Sequence, residues 1–488
     1  MLSPLPWLLL ILVGLASSST YIPGRRMGMR RGWNSRRISA HSMGALSLDD
    51  FQTYNYTQTL DHFNYDPESY TTFQQKYVIN FKHWGGPNNT SPIFVWTGQE
   101  APLEIEWDAD DLILDIAPRF KALLVYIEHR YYGSSIPFGS MEEAYRNSST
   151  LGYLTSAQAL ADYAELIVNL KNNLSAENCP VFVYGASYGG MLAAWFRLKY
   201  PHIAMAALAS SAPILYFEDL TPENGYYSVV TKDFRETSKS CYSTIRQSWF
   251  DIDEIATLPD GLQYLTQKFK VCSPLNDTQE LKDFLDNLYC GAAQYNYPPS
   301  YPVNVMCEAI DGAQENDTLG RILAGAMAIA GDSSCIHLDE GTSTLDGWLW
   351  QTCSEMVMPI GRGENDTMFQ AMPFDLKNET EFCQRLFGVT PRPHWITTEF
   401  GGHDIKTVLK KFASNIIFSN GLRDPYSVGG VLQNISDSLV AIHTTQGAHC
   451  MDLFSQSPTN PDWLTAQQEA EINIIDKWIS EYKANNLL

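Results

Sequence analysis

Positive charge is scarce in this sequence: 33 Lys and Arg stand against 55 Asp and Glu, a formal net of −22 over 488 residues. A surface of that sign repels phosphate backbones and anionic headgroups, which removes nucleic acid from the expected partners. Long hydrophobic runs are scarce too. After the extreme N-terminus, no run approaches the ~20 apolar residues that cross ~30 Å of hydrocarbon, so no stable membrane insertion is expected. Internal repeats, low-complexity tracts and the CxxC or His/Cys spacings of zinc sites are missing, and no metal or cofactor is implied. What remains is 44% hydrophobic and 12% aromatic, enough to bury a large core. The length exceeds what one compact core normally fills, which predicts two domains or one domain with a large insertion.

The N-terminus indicates the route. Residues 1–20 carry a short apolar run from Pro6 to Ala16 followed by Ser17, Ser18 and Ser19, the pattern of a signal peptide. Residues 21–48 hold three arginine pairs and no acid, a basic leader or pro-segment. Without those six arginines, 27 basic residues face 55 acidic ones, and the body is nearer −28. Glycosylation sequons at Asn55, Asn88, Asn89, Asn147, Asn173, Asn276, Asn316, Asn365, Asn378 and Asn434 point to the secretory pathway, with a lysosomal, vacuolar or secreted destination. Nine cysteines, seven of them between 241 and 383, predict disulfides confined to the middle of the chain, with at least one thiol left over.

Short apolar runs at 92–97, 122–128, 180–184 and 204–210 read as strands buried on both faces. Helical patterns at 104–120, 155–174 and 190–200 alternate with them, and Thr155 or Ser156 can cap the second. The alternation fades between 213 and 398, where helix-like pieces occur at 278–288 and 319–330. Strand patterns return at 413–419 and 438–444 before a last helix at 465–484. The economical architecture is an α/β domain in two parts, 49–212 and 399–488, interrupted by a mainly helical, disulfide-stapled cap over 213–398.

Gly185-Ala186-Ser187-Tyr188-Gly189 fits G-x-S-x-G and lies directly between a buried strand and a helix, where a tight turn can lift a serine hydroxyl out of the sheet. A serine nucleophile needs a base and the base an orienting acid, and in α/β-hydrolases these follow in the order Ser, Asp, His. Asp424 follows the strand pattern at 413–419, and His449 follows the one at 438–444. His443 competes as base but lies inside its strand pattern; His129 and His403 break the order. The Tyr188 N–H and the loop Gly98-Gln99-Glu100 are the expected oxyanion donors. Glu100 and Glu128 either form structural ion pairs or bind a substrate amine.

These residues, with Leu60-Asp61-His62-Phe63, Glu128-His129-Arg130-Tyr131-Tyr132-Gly133, Trp350-Gln351-Thr352-Cys353-Ser354-Glu355 and Pro391-Arg392-Pro393-His394-Trp395, resemble the proline-specific serine peptidase family that contains lysosomal Pro-X carboxypeptidase, dipeptidyl peptidase II and thymus-specific serine protease. The resemblance spans nearly all of the chain after Phe51. It implies an α/β-hydrolase core with a helical cap and a triad of Ser187, Asp424 and His449. It also implies proline-containing peptide substrates, through release of the residue after a penultimate proline or of an N-terminal dipeptide. The implied cap disulfides are Cys241–Cys307, Cys272–Cys335 and Cys353–Cys383, leaving Cys179, Cys290 and Cys450. Met191 and Met358 match residues of the family's proline pocket, which a soft apolar wall suits. The sequence departs from the family at Gly98-Gln99-Glu100-Ala101, at Tyr426 in place of tryptophan, and at His449-Cys450-Met451-Asp452-Leu453-Phe454, which lacks a histidine and an arginine beside the base. A homodimer, and a non-catalytic binding glycoprotein on the same scaffold, complete the expectations.

Overall fold

The computed structural model describes residues 50–103, 112–314, 316–331, 334–338 and 347–485. The expected signal peptide, the basic leader and the first half of the helix expected over 104–120 lie outside the described residues.

Eight strands form a single sheet: β1 Phe51–Thr59, β2 Thr72–Asn80, β3 Ile93–Thr97, β4 Leu123–Ile127, β5 Val181–Ala186, β6 Ala206–Ser210, β7 Ile416–Gly421 and β8 Leu439–Thr444. Their order is β1-β2-β4-β3-β5-β6-β7-β8. The pairings β1–β2 and β2–β4 are antiparallel, and every later pairing is parallel. The central strands read as continuous apolar runs because both faces are covered: Ile93 and Val95 pack into one core, Phe94 and Trp96 into the other. Helices α1 Leu112–Phe120 and α10 Asp462–Asn485 cover the second face, through Ile113, Ile116, Ile475 and Trp478. Helices α2 Ser156–Asn173 and α3 Ser187–Lys199 cover the first. Thr155 caps α2 as its position suggests, its side chain accepting from the Gln158 N–H.

Strands β6 and β7 are neighbours, Ser210 opposite Ser419, although the chain runs from 211 to 415 between them. That passage contains α4 Gly225–Thr237, α5 Lys239–Ala256, α6 Thr278–Gln294, α7 Pro302–Gly312, α8 Thr318–Ala330 and α9 Gly347–Ser354, with no strand among the described residues. Three disulfides hold it: Cys241–Cys307 joins α5 to α7, Cys272–Cys335 closes a loop, and Cys353–Cys383 joins α9 to the helix Leu376–Phe387. Loops of 66, 63 and 30 residues correspond to roughly 3–4 kcal/mol of unfolded-state constraint each. Cys179, Cys290 and Cys450 take part in none of these disulfides. The cap is not a separate body, because Tyr226, Val230, Trp249, Leu285 and Met358 belong to the same apolar cluster as α3. No helix among the described residues is long and apolar enough to cross a membrane.

Candidate active site

The parallel strands end in register, Ala186 of β5 opposite Ser210 of β6, which pairs in turn with Ser419 of β7. Segments leaving these ends therefore meet at one edge of the sheet. Ser187 is the first residue after β5 and the first of α3, with a left-handed φ of +55°. That strained backbone turns the Ser187 side chain away from the strand at the turn, and Gly185 and Gly189, two residues to either side, leave room for the tight turn. A Cβ on Gly185 would stand 2.3 Å from the Gly189 carbonyl oxygen, and one on Gly189 2.6 Å from that of Thr97. The motif's glycines are thus required by close approach of α3 to β3 and β5.

Asp424 follows β7 and is fully buried. One of its oxygens, Oδ1, accepts from the Tyr426 N–H at 3.0 Å, and the other, Oδ2, meets His449 Nδ1 at 2.7 Å. The carboxylate fixes Nδ1 as the protonated ring nitrogen, which leaves Nε2 as a lone-pair acceptor. The His449 ring lies between Tyr295 at 6.1 Å and Tyr426 at 5.9 Å, and its backbone N–H donates to the Gln294 carbonyl at the end of α6. The cap therefore holds the histidine loop directly. Burial pulls the His449 pKa down, but the Asp424 charge and hydrogen bond, aided by Cys450, outweigh it and raise it well above 6.5. Ser187 Oγ and His449 Nε2 are both buried and without a hydrogen-bond partner. A hydroxyl and a basic nitrogen left unsatisfied at one edge of the sheet are what a nucleophile and its general base require before substrate arrives.

Tyr188 is the second residue of α3, so its N–H has no intrahelical partner. The expectation for Gly98 is corrected: its N–H donates to the Ile127 carbonyl at 3.1 Å, extending the β3–β4 ladder, and is not available to an oxyanion. Glycine stands there because a Cβ would lie 2.3 Å from that same oxygen. Glu128 is a structural acid, fully buried, with Oε2 accepting from the Ser134 and Ser135 N–H groups at 3.0 and 2.8 Å. Burial raises the pKa of Tyr188, Tyr295 and Tyr426, and the Glu100 charge adds a small further push in each case. Met191 and Met358 are buried in the cluster around α3, and Tyr426 packs edge-on to Tyr226 at 4.9 Å. His443 is exposed on β8 and His403 is exposed on the approach to β7, so neither is packed as a base. All ten sequon asparagines are exposed. Sequence reasoning passed over Gln294 and Tyr295, cap residues with no motif of their own that reach the catalytic loops only in three dimensions, and gave no role to Gln351, which lies in a stretch that matches the family.

A serine on a strained strand-to-helix turn, an acid after β7 and a histidine after β8, on a mainly parallel sheet in this order, define an α/β-hydrolase. Residues 58–471 match the model of the family described as Serine carboxypeptidase S28. Among similar proteins, the human lysosomal Pro-X carboxypeptidase is 38% identical over 455 residues, covering 89% of each chain. Prolyl carboxy peptidase like protein 5 of Caenorhabditis elegans is 34% identical, covering 86% of this chain and 89% of that one. The human thymus-specific serine protease is 27% identical, covering 88% and 87%. The chain belongs to the S28 family and is a serine-type peptidase.

Proposed function

We propose that this peptidase is an exopeptidase that cleaves short peptides next to proline, releasing the C-terminal residue after a penultimate proline through an acyl-enzyme. Ser187 attacks the carbonyl of the proline residue, His449 Nε2 takes the hydroxyl proton and returns it to the leaving amine, and Asp424 holds His449 in the active tautomer. The Tyr188 N–H donates to the oxyanion, with a second donor from the loop beyond Gly98. Water then attacks the acyl-enzyme by the reverse sequence. The observation that carries this reading is the 2.7 Å Asp424–His449 bond beside the two unsatisfied atoms Ser187 Oγ and His449 Nε2. Met191 and Met358 as the wall of a proline pocket, with Tyr426 beside it, suit a pyrrolidine ring because apolar, polarisable surface gains from burying it. The names of the relatives, lysosomal Pro-X carboxypeptidase among them, support the substrate class and a lysosomal or secreted location.

Glu100 favours one second reading. An acid whose charge is felt at Tyr188 and Tyr426 suits a protonated N-terminus and hence dipeptide release. N-blocked and C-amidated proline peptides separate the two. The carboxypeptidase hydrolyses the N-blocked peptide and spares the C-amidated one; the opposite preference overturns that mode in favour of dipeptide release. Ser187→Ala should abolish both activities in a folded protein, and retained turnover would sink the assignment of the nucleophile.

A further inference from the structure

The residue after the nucleophile is held by a hydrogen-bond chain that runs from the core into the cap. His129, fully buried, places Nδ1 at 2.7 Å from the Arg130 carbonyl and Nε2 at 3.0 Å from the Tyr188 hydroxyl. A carbonyl only accepts, so Nδ1 carries the proton and Nε2 accepts from the Tyr188 O–H. Gln351 Nε2 donates to the same tyrosine oxygen at 2.8 Å, and Gln351 Oε1 accepts from the Tyr132 O–H at 2.7 Å. Every donor and acceptor direction in the chain is fixed. Burial holds the His129 pKa down at about 4, so the ring stays neutral and able to accept.

Gln351 sits on α9, a cap helix, and Trp348 lies three residues before it on the same face. The Trp348 ring meets the Tyr188 ring at 5.4 Å. Helix α9 is itself tied down at its end, where the Glu355 carboxylate accepts from the Ser156 N–H at 2.6 Å and the Ser156 hydroxyl at 3.1 Å. Helix α9 thus meets the elbow at Tyr188 and the N-terminus of α2 at Ser156.

We propose that His129 and Gln351 are positioning residues that hold the Tyr188 side chain from opposite sides, and thereby aim its backbone N–H at the oxyanion site. This rests on the proposed role of Tyr188 beside the Ser187 nucleophile. Neither residue touches substrate. Because α9 supplies one half of the clamp, correct seating of the cap is needed for full oxyanion stabilisation, and the cap acts on the rate of chemistry as well as on access. A single misaligned oxyanion donor is worth up to about 10²–10³ in rate, and a clamp that only tilts the donor is expected to be worth less, about tenfold or more.

The test measures the second-order rate of fluorophosphonate labelling, and kcat and KM on a proline peptide, all per active site titrated. The variants are His129→Leu, His129→Gln, Gln351→Leu and Tyr188→Phe. Gln at 129 retains an acceptor for the tyrosine hydroxyl, and Leu does not. Expected is a fall of about tenfold or more in labelling rate and kcat for His129→Leu and Gln351→Leu, with KM nearly unchanged and substantial recovery in His129→Gln. In the Tyr188→Phe background, which has no hydroxyl to hold, the same Leu substitutions should cost little further. Equal labelling rates and kcat across folded variants, or fully additive losses in the Tyr188→Phe background, overturn the proposal. If His129→Leu does not fold, the Gln351→Leu and Tyr188→Phe pair decides by the same criterion. Wild-type protein that fails to label overturns the Ser187 reading instead, so the two failures are distinguishable.

Discussion

Replacing Glu355 by glutamine should remove a specific pH dependence of stability. Burial raises its pKa from 4.5 to about 7, against the opposing hydrogen bonds from Ser156, Gln351 and Trp395. The folded protein therefore binds this proton more tightly than the unfolded chain does. The stabilisation is fully present below pH 4.5 and is lost as pH rises through 7. The displacement corresponds to about 3 kcal/mol in all, of which about 2 kcal/mol disappears between pH 5 and pH 7. Glutamine resembles the protonated acid and can keep a bond to the Ser156 N–H without titrating. In urea unfolding with disulfides intact, Glu355→Gln should match wild type closely at pH 5 and gain on it by about 2 kcal/mol at pH 7. Comparison with wild type cancels the other buried groups: Asp233, raised to about 8 by burial, and His129, lowered to about 4. A stability difference that stays constant between pH 5 and pH 7 refutes the reasoning.

Catalysis should respond to pH in the opposite sense. His449 must be neutral to accept a proton, and Asp424 raises its pKa, so kcat/KM should fall as pH drops through that raised value; a rate flat across this limb contradicts the assignment of the base. Asp424→Asn keeps the shape but loses the charge that fixes the tautomer, and kcat should drop by about 10⁴ with KM little changed, read by steady-state kinetics. Gly189→Ala forces a Cβ to 2.6 Å from the Thr97 carbonyl oxygen and should cost about 1–3 kcal/mol along with most activity, measured by thermal unfolding and active-site titration. Glycosidase treatment of protein from a eukaryotic host should lower its mass by several glycans, since all ten sequon asparagines are exposed.

Much of the core was legible because parallel strands buried on both faces leave unbroken apolar runs, as at Ile93–Thr97 and Val181–Ala186. Strand β1, with the sequence FQTYNYTQT and mostly exposed positions, leaves no such signal. Its partner β2 is inside the sheet and mostly buried, but mixes glutamine and lysine into its run and is equally silent. The order Ser187, Asp424, His449 was readable because each follows a recognisable strand. Gly98 shows the limit of that logic: position in the chain named a loop, but whether its N–H was already bonded to Ile127 depended on strand pairing. The clamp on Tyr188 was illegible for a related reason, since His129 and Gln351 are 222 residues apart in sequence and meet through a single hydroxyl.

The central claim, a serine nucleophile at residue 187 serving proline peptides, is tested most directly by locating a fluorophosphonate adduct with tandem mass spectrometry. The account predicts one adduct, on Ser187, slowed by a peptide ending in proline and one further residue, and absent from His449→Ala protein. An adduct on a different residue, or labelling of Ser187 that such peptides do not slow, contradicts it.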